Sequence, residues 1–264
     1  SDSWEHADNF VSRLKAELSA IPPLPAFYPG MQHRAAAFLD AYPEAELIHS
    51  NSPSSQGRLG AIPAAVLELD CPPEKLAGEQ CLSVEPFSPV LTIYRVPSAS
   101  HGEFLEAAVS ICNDQIWGNL CCTLLVHPDV ARANRAAVDQ AITALRYGTV
   151  SVNAFPANAF SSEVCHWGGF QGPDQSLAAP MSGIGSAHNC YMFDFPQKTV
   201  FRTPFVSGLH LWPKHIHPLP MHLPLSLSPP WIWRLARTFA GFLISGLPGV
   251  IRMLLFSSAY ARNG

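Results

Sequence analysis

Thr123-Leu124-Leu125-Val126 and, further on, Gly148-Thr149-Val150-Ser151-Val152-Asn153 bracket the Ala-rich stretch 128–145, and these three pieces read together decide the fold. Each flanking run is short, apolar or β-branched, and bounded by turn residues, which is how a buried strand reads. The stretch between them opens on Pro128, whose fixed φ and missing N–H suit the first turn of a helix, and it predicts one long helix to Leu145. Working towards the N-terminus, residues 102–112 place Phe104, Leu105, Ala108, Val109 and Cys112 on one helical face. Residues 90–96 form a β-branched run typical of a buried strand, and 61–69 predict another. Strand and helix alternating in this way imply an α/β domain with a largely parallel sheet and flanking helices.

The ends of the chain differ from this middle. Residues 8–21 carry Phe10, Val11, Leu14, Leu18 and Ile21 at helical spacing, and Pro22-Pro23 stops that helix. A second helix is expected over 32–41, and the Ser-, Pro- and Gly-containing stretch 51–60 reads as a loop. Prolines at 204, 213, 218, 220, 224, 229 and 230 forbid regular helix and predict an extended arm. Residues 231–240 can be helical, with Arg234 and Arg237 on a shared side. The apolar run 239–256 is interrupted by Pro248 and carries Arg252, so it suits a docked or interfacial helix better than a bilayer-spanning one. Three segments result: an N-terminal helical segment 1–60, an α/β portion 61–203, and a Pro-rich arm with apolar helices 204–264.

Composition narrows the function classes. A chain of 264 residues with 48% apolar residues can bury a sizeable core. Its formal net charge of -4 leaves no basic excess to neutralise phosphates, so nucleic acid is not an expected partner. Seven cysteines, including the adjacent Cys121-Cys122, form an odd count without disulfide-framework spacing, which fits reduced thiols and a cytoplasmic location. The opening Ser1-Asp2-Ser3-Trp4-Glu5 is polar and acidic where a cleavable signal peptide is basic and then apolar. The first residue is not Met, which fits a fragment of a longer protein.

Five segments occur in an order that carries more information than any one of them. They are Glu85-Pro86-Phe87-Ser88-Pro89-Val90, Asn113-Asp114-Gln115-Ile116-Trp117-Gly118, Gly148 to Asn153, Trp167-Gly168-Gly169-Phe170, and Ser182-Gly183-Ile184-Gly185. Together they resemble the C-terminal part of the catalytic domain of the NAD(P)-dependent aldehyde dehydrogenase family, over residues 59–185. More loosely, Ile21-Pro22-Pro23, Pro25-Ala26-Phe27-Tyr28-Pro29-Gly30, Leu145-Arg146-Tyr147 and the Pro-rich basic C-terminus are similar to the tail half of a bacterial subgroup of that family. The resemblance implies that Glu85 accepts hydrogen bonds from the nicotinamide ribose hydroxyls and that Phe87 lies beside the nicotinamide ring of NAD or NADP. A purely structural reading makes Glu85 a loop residue ahead of a buried strand and Phe87 a core residue. Departures from the family pattern are Ser88 in place of Gly, an insertion at 171–181, and Ala187 where an acidic residue is common.

The resembled reaction needs a Cys nucleophile to attack the aldehyde and a Glu base to activate water. In the family that Cys lies further upstream than the residues preceding Glu85 reach, so the isolated chain is expected to show little or no turnover. Gly78-Glu79-Gln80-Cys81 is similar to the motif around the family nucleophile but stands almost against Glu85, where the family keeps the two far apart. Cys81 is thus the one catalytic candidate, with a core or strand-edge cysteine as the stronger reading. Gly183-Ile184-Gly185 lacks the third Gly of a dinucleotide fingerprint. His210, His215, His217 and His222 lack a regularly spaced Cys or carboxylate to complete a metal shell, so no metal site is expected. Cys165-His166 could suggest a thiolate pair, but adjacent strand residues point to opposite faces. The resemblance implies an aldehyde substrate and either a homo-oligomer or a missing N-terminal half. Two other expectations stand beside it: a non-catalytic scaffold that pairs with another subunit, and a membrane-surface protein acting through 231–256.

Overall fold

The structure, a computed structural model, describes residues 1–50 apart from 22 and 27, 61–172 apart from 161 and 163, and 186–203 apart from 190, 193 and 195. In chain order the first half runs α1 (Ala7–Ala20), β1 (Leu24–Pro25), α2 (Met31–Ala41), β2 (Glu46–Ile48), β3 (Ala61–Ile62), β4 (Ala64–Leu69), a 3-10 segment Pro73–Gly78, α3 (Gln80–Ser83) and β5 (Val90–Tyr94). The second half runs α4 (His101–Asp114), β6 (Cys121–Leu124), α5 (Pro128–Ala133), α6 (Arg135–Ala144), β7 (Thr149–Val152), a 3-10 turn Pro156–Asn158, β8 (Trp167–Gly168), β9 (Ser186–His188) and β10 (Thr199–Arg202). The α/β class expected from the alternation is present, with parallel strand pairs and flanking helices.

β7 is the centre of a parallel three-stranded sheet of order β10-β7-β6. All four of its residues are buried, as befits a parallel strand covered on both faces. The period of two sends Val150 and Val152 to one side, where they meet Leu105 of α4, Val138, Ala141 and Ile142 of α6, and Leu145 and Tyr147. α4 exists because its apolar positions share that face and because Ser100 caps it, its Oγ accepting the Glu103 N–H at 3.2 Å. Glu103 returns a contact by accepting the Ala99 N–H at 2.9 Å.

The largely parallel single sheet of the sequence reading divides here into two three-stranded sheets, alongside two short two-stranded pairs. The second sheet has the order β2-β4-β5, with β2 antiparallel and β5 parallel to β4. Leu67 of β4 is fully buried against Phe38, Tyr42 and Ala45. Residues 1–60 and 61–203 therefore share a sheet and a core through β2 and α2. On the α1 side, Lys15 donates to Glu46 and Glu68 at 2.7 Å each.

Two predicted elements are interrupted, each for a local reason. The strand over 61–69 breaks at Pro63, which has no N–H for a ladder, and β3 leaves to pair antiparallel with β1. The helix over 128–145 breaks at Asn134, which leaves helical geometry with φ -121° while its side-chain amide donates to the Val130 carbonyl at 3.0 Å. α6 is closed at its other end by Lys198, whose ammonium donates to the carbonyls of Ile142, Thr143 and Leu145 at 3.2, 2.6 and 2.6 Å. One side chain on the approach to β10 thus satisfies carbonyls that a helix end leaves open.

Candidate functional site

Glu85 to Pro89 form the loop between α3 and β5. Pro86 and Pro89 contribute no N–H, so this loop has few ways to hold itself by backbone bonds. Its far end is tied to the sheet where the Ala65 N–H donates to the Pro89 carbonyl at 2.9 Å. Glu85 is exposed, and Phe87 is 51% exposed. Phe87 also takes φ 42°, in the left-handed region that an aromatic residue with a Cβ enters only at a cost of roughly 1–2 kcal/mol. The structure thus presents Phe87 as a surface ring in a strained backbone. Ser88, standing where the resembled family has Gly, keeps its hydroxyl oxygen buried with no hydrogen-bond partner among the described residues.

Two residues outside the predicted site complete this corner. Arg34 of α2 donates through Nε to the Pro86 carbonyl at 3.1 Å and through Nη1 to the Pro29 carbonyl at 3.0 Å. Its guanidinium carbon lies 5.8 Å from the centroid of the Phe87 ring, a cation–π distance. Tyr28 meets Phe87 edge to face with centroids 5.9 Å apart. In the sequence, Tyr28-Pro29-Gly30 shows only a likeness to a bacterial subgroup of the resembled family. The local signal that could have found Arg34 is its place one turn beyond Gly30, the residue that starts α2 at φ 74°. Beside the loop lies a groove of about 70 Å³ lined by Arg34, Ala37, Phe38, Gln80, Val84 and Pro86. Pockets that enclose drug-sized ligands hold several hundred Å³, so this groove is too small to enclose one.

The other motif segments do backbone work. Asn113 donates through its amide to the Ala144 carbonyl at 2.9 Å and accepts the Arg146 N–H at 2.7 Å, so its side chain imitates a peptide group. Arg146 in turn pairs with Asp114 and donates to the Asn113 carbonyl at 2.9 Å. Gly118 turns the chain at φ 109°, and the Trp117 N–H just before it donates to the Leu82 carbonyl of α3 at 2.8 Å. Asn153, at φ 58°, accepts the Val126 N–H at 2.8 Å and donates to its carbonyl at 3.0 Å, extending the β6–β7 pairing by a side chain. The Asn119 carbonyl takes the N–H groups of both Gly148 and Phe170, which draws the Gly148 strand and the Trp167-Gly168-Gly169 turn together. The segment 182–185 lies outside the described residues.

Cys81 sits half-buried against the cluster of Phe38, Tyr42, Ala45 and Leu67. Its N–H donates to the Tyr42 hydroxyl at 3.0 Å, which donates onward to Glu79 at 2.9 Å. Burial, then hydrogen bonding to Cys81, pushes the Tyr42 phenol well above its ordinary range, which favours its protonated form. Burial likewise raises the thiols of Cys112 and Cys121 and pushes Cys122 up to about 12, away from the reactive thiolate form. His166 is buried and Cys165 half-buried, neither within a strand. Among the described residues no cluster of His, Cys, Asp or Glu could hold a metal ion, and no helix is long and apolar enough to cross a membrane. His210, His215, His217, His222 and the 231–256 segment lie outside the described residues.

Compared with known proteins, the chain matches no family model and no curated protein.

Proposed function

We propose that this chain is an aldehyde-dehydrogenase-like catalytic-domain portion that takes part in oxidising an aldehyde to a carboxylic acid with NAD or NADP in the cytoplasm. The supporting observation is one of subtraction. Asn113, Gly118, Gly148 and Asn153 are each accounted for by backbone contacts, whereas Glu85 is left exposed and Phe87 is held strained at the surface beside it. An exposed carboxylate two positions from a half-exposed aromatic ring fits a nicotinamide riboside: the two Glu85 oxygens can accept from two ribose hydroxyls, and the exposed part of the Phe87 ring can support the flat heterocycle. When bound, the nicotinamide accepts the hydride that leaves the substrate carbon. The roles given to Glu85 and Phe87 are to hold and orient. The thiol step is assigned to none of Cys81, Cys112, Cys121 and Cys122, which pack structurally, so the chain alone is expected to turn over little or no aldehyde.

A second reading, a non-catalytic scaffold that pairs with another subunit or a second copy, is favoured by a different observation. Val84, Leu91, Trp117, Leu125, Phe155 and Val164 are all large, apolar and exposed, and a partner surface would bury them. A membrane-surface role through 231–256 rests on the sequence alone.

Titration of the purified chain with NAD and NADP, alongside an aldehyde-dependent reduction assay, separates these readings. Binding without turnover is expected, and Glu85→Gln should weaken it about tenfold, the scale of one charge-assisted hydrogen bond. Equal binding by the variant removes Glu85 from the site. Absence of binding in the unaltered chain favours the scaffold. Turnover by the chain alone returns the nucleophile to one of its own thiols, Cys81 first.

A further inference from the structure

We propose that Arg34 is the positioning residue for Phe87, a guanidinium clamp that holds the Glu85–Phe87 loop in its strained, ring-presenting form. The ligand in view is the flat heterocycle of a nicotinamide nucleotide, so this part of the inference rests on the function proposed above.

A strained residue persists only where its surroundings over-determine it. Phe87 is flanked at one side by Pro86, which donates nothing, and its own φ of 42° is of a kind that a free loop would relax. Ala65 of β4 holds the far end of this loop at Pro89, and at Phe87 itself the ring meets Arg34 and Tyr28. Arg34 grips the Pro86 carbonyl with Nε at 3.1 Å, immediately before the strained residue, and lays its charge 5.8 Å from the Phe87 centroid. With Nη1 it holds the Pro29 carbonyl at 3.0 Å, in the same turn that carries Tyr28. A planar fork can bind two carbonyls from two segments at once; an ammonium is a single point charge and lacks that geometry.

The turn is itself built for the clamp. Gly30 lies at φ 74°, and a Cβ there would stand 3.1 Å from Arg34 Nη1. Tyr28 then meets the Phe87 ring edge to face, so that one Arg fixes the turn carrying Tyr28 and the loop carrying Phe87 against each other. The role assigned to Arg34 is to orient Phe87, not to react.

The test uses the full chain with Arg34→Met, which keeps the stem and loses the fork, and Arg34→Lys, which keeps stem and charge. Three quantities are read: the ring-to-ring nuclear Overhauser contact between Tyr28 and Phe87, the affinity for nicotinamide mononucleotide, and the urea midpoint. Both variants are expected to lose the Tyr28–Phe87 contact and to bind the mononucleotide about tenfold more weakly, while the urea midpoint changes little. A variant that keeps the ring contact at full strength overturns the clamp, whatever its affinity. A parallel fall in midpoint, contact and affinity also overturns it, since that pattern marks a purely structural residue. Should the unaltered chain fail to bind the mononucleotide, the dehydrogenase reading fails, and the ring contact alone decides for or against Arg34.

Discussion

Gly148→Ala should be among the most damaging single-methyl additions to this chain, and the structure states the reason in distances. An ideal Cβ at position 148 would fall 1.8 Å from the Gly168 carbonyl oxygen, 2.8 Å from the Gly168 carbonyl carbon and 2.9 Å from that of Gly169. Carbon–oxygen contacts settle beyond about 3 Å, so one backbone has to retreat by roughly 1 Å or more. Neither is free to do so. The Gly148 N–H donates to the Asn119 carbonyl at 2.9 Å, and its own carbonyl accepts the Thr199 N–H at 2.8 Å, which pins it between β6 and β10. The opposing turn is tied by the Phe170 N–H to the Asn119 carbonyl at 3.1 Å and by the Asn119 amide to the Phe170 carbonyl at 3.4 Å. Losing those two bonds costs about 1 kcal/mol each, and the forced displacement about 1–3 kcal/mol more. The sum, about 3–5 kcal/mol, is a large part of the 5–15 kcal/mol typical of a domain. With a urea slope of about 2–3 kcal/mol/M, the unfolding midpoint should fall by about 1–2.5 M. Gly78→Ala is the matched control, because nothing lies within 4 Å of a Cβ there; it should stay within about 0.5 kcal/mol of the unaltered chain. If Gly148→Ala unfolds at the same urea concentration as Gly78→Ala, the two glycine backbones do not meet, and the reasoning fails.

Lys198→Met removes the donor shared by three carbonyls at the end of α6 and should destabilise the chain by about 2–3 kcal/mol in the same urea assay; a shift under about 0.5 kcal/mol would mean that water serves those carbonyls equally well. Burial lowers the His166 pKa below its usual 6.5, so at pH below that value the unfolded chain holds more protons than the native one, and stability falls as the pH falls through the window. Between about pH 7 and about pH 5, the urea midpoint of the unaltered chain should thus drop further than that of His166→Asn, and parallel drops would refute a neutral buried imidazole. Because burial pushes the Cys122 thiol up to about 12 and raises Cys112 as well, iodoacetamide at about pH 8 should leave both unmodified in the native chain and alkylate both in urea; rapid native labelling read by mass spectrometry would contradict their packing.

The candidate site divides in the same way as the fold into what local pattern announces and what it does not. Glu85 and Phe87 were legible from their segment, but the segment could not say whether Phe87 was core or surface. The structure makes it a surface ring at φ 42°. Arg34 was invisible as a member of the site because its partner carbonyl at Pro86 is 52 positions away. The motif around Asn113 does not announce its task; its amide donates to the carbonyl of Ala144, 31 positions on.

The sequence by itself determined the local elements: the apolar face of α4, the buried run of β7, the stop at Pro22-Pro23 after α1 and the Pro128 start of α5. Each depends on a period or a missing N–H that neighbouring residues carry with them. Only the tertiary structure decided that the strands form two sheets, that Lys198 closes α6, that Gly148 must be bare against Gly168, and that Arg34 meets Phe87. Those are matters of hydrogen bonds and contacts between distant residues, and no period along the chain records which partner a free carbonyl will find.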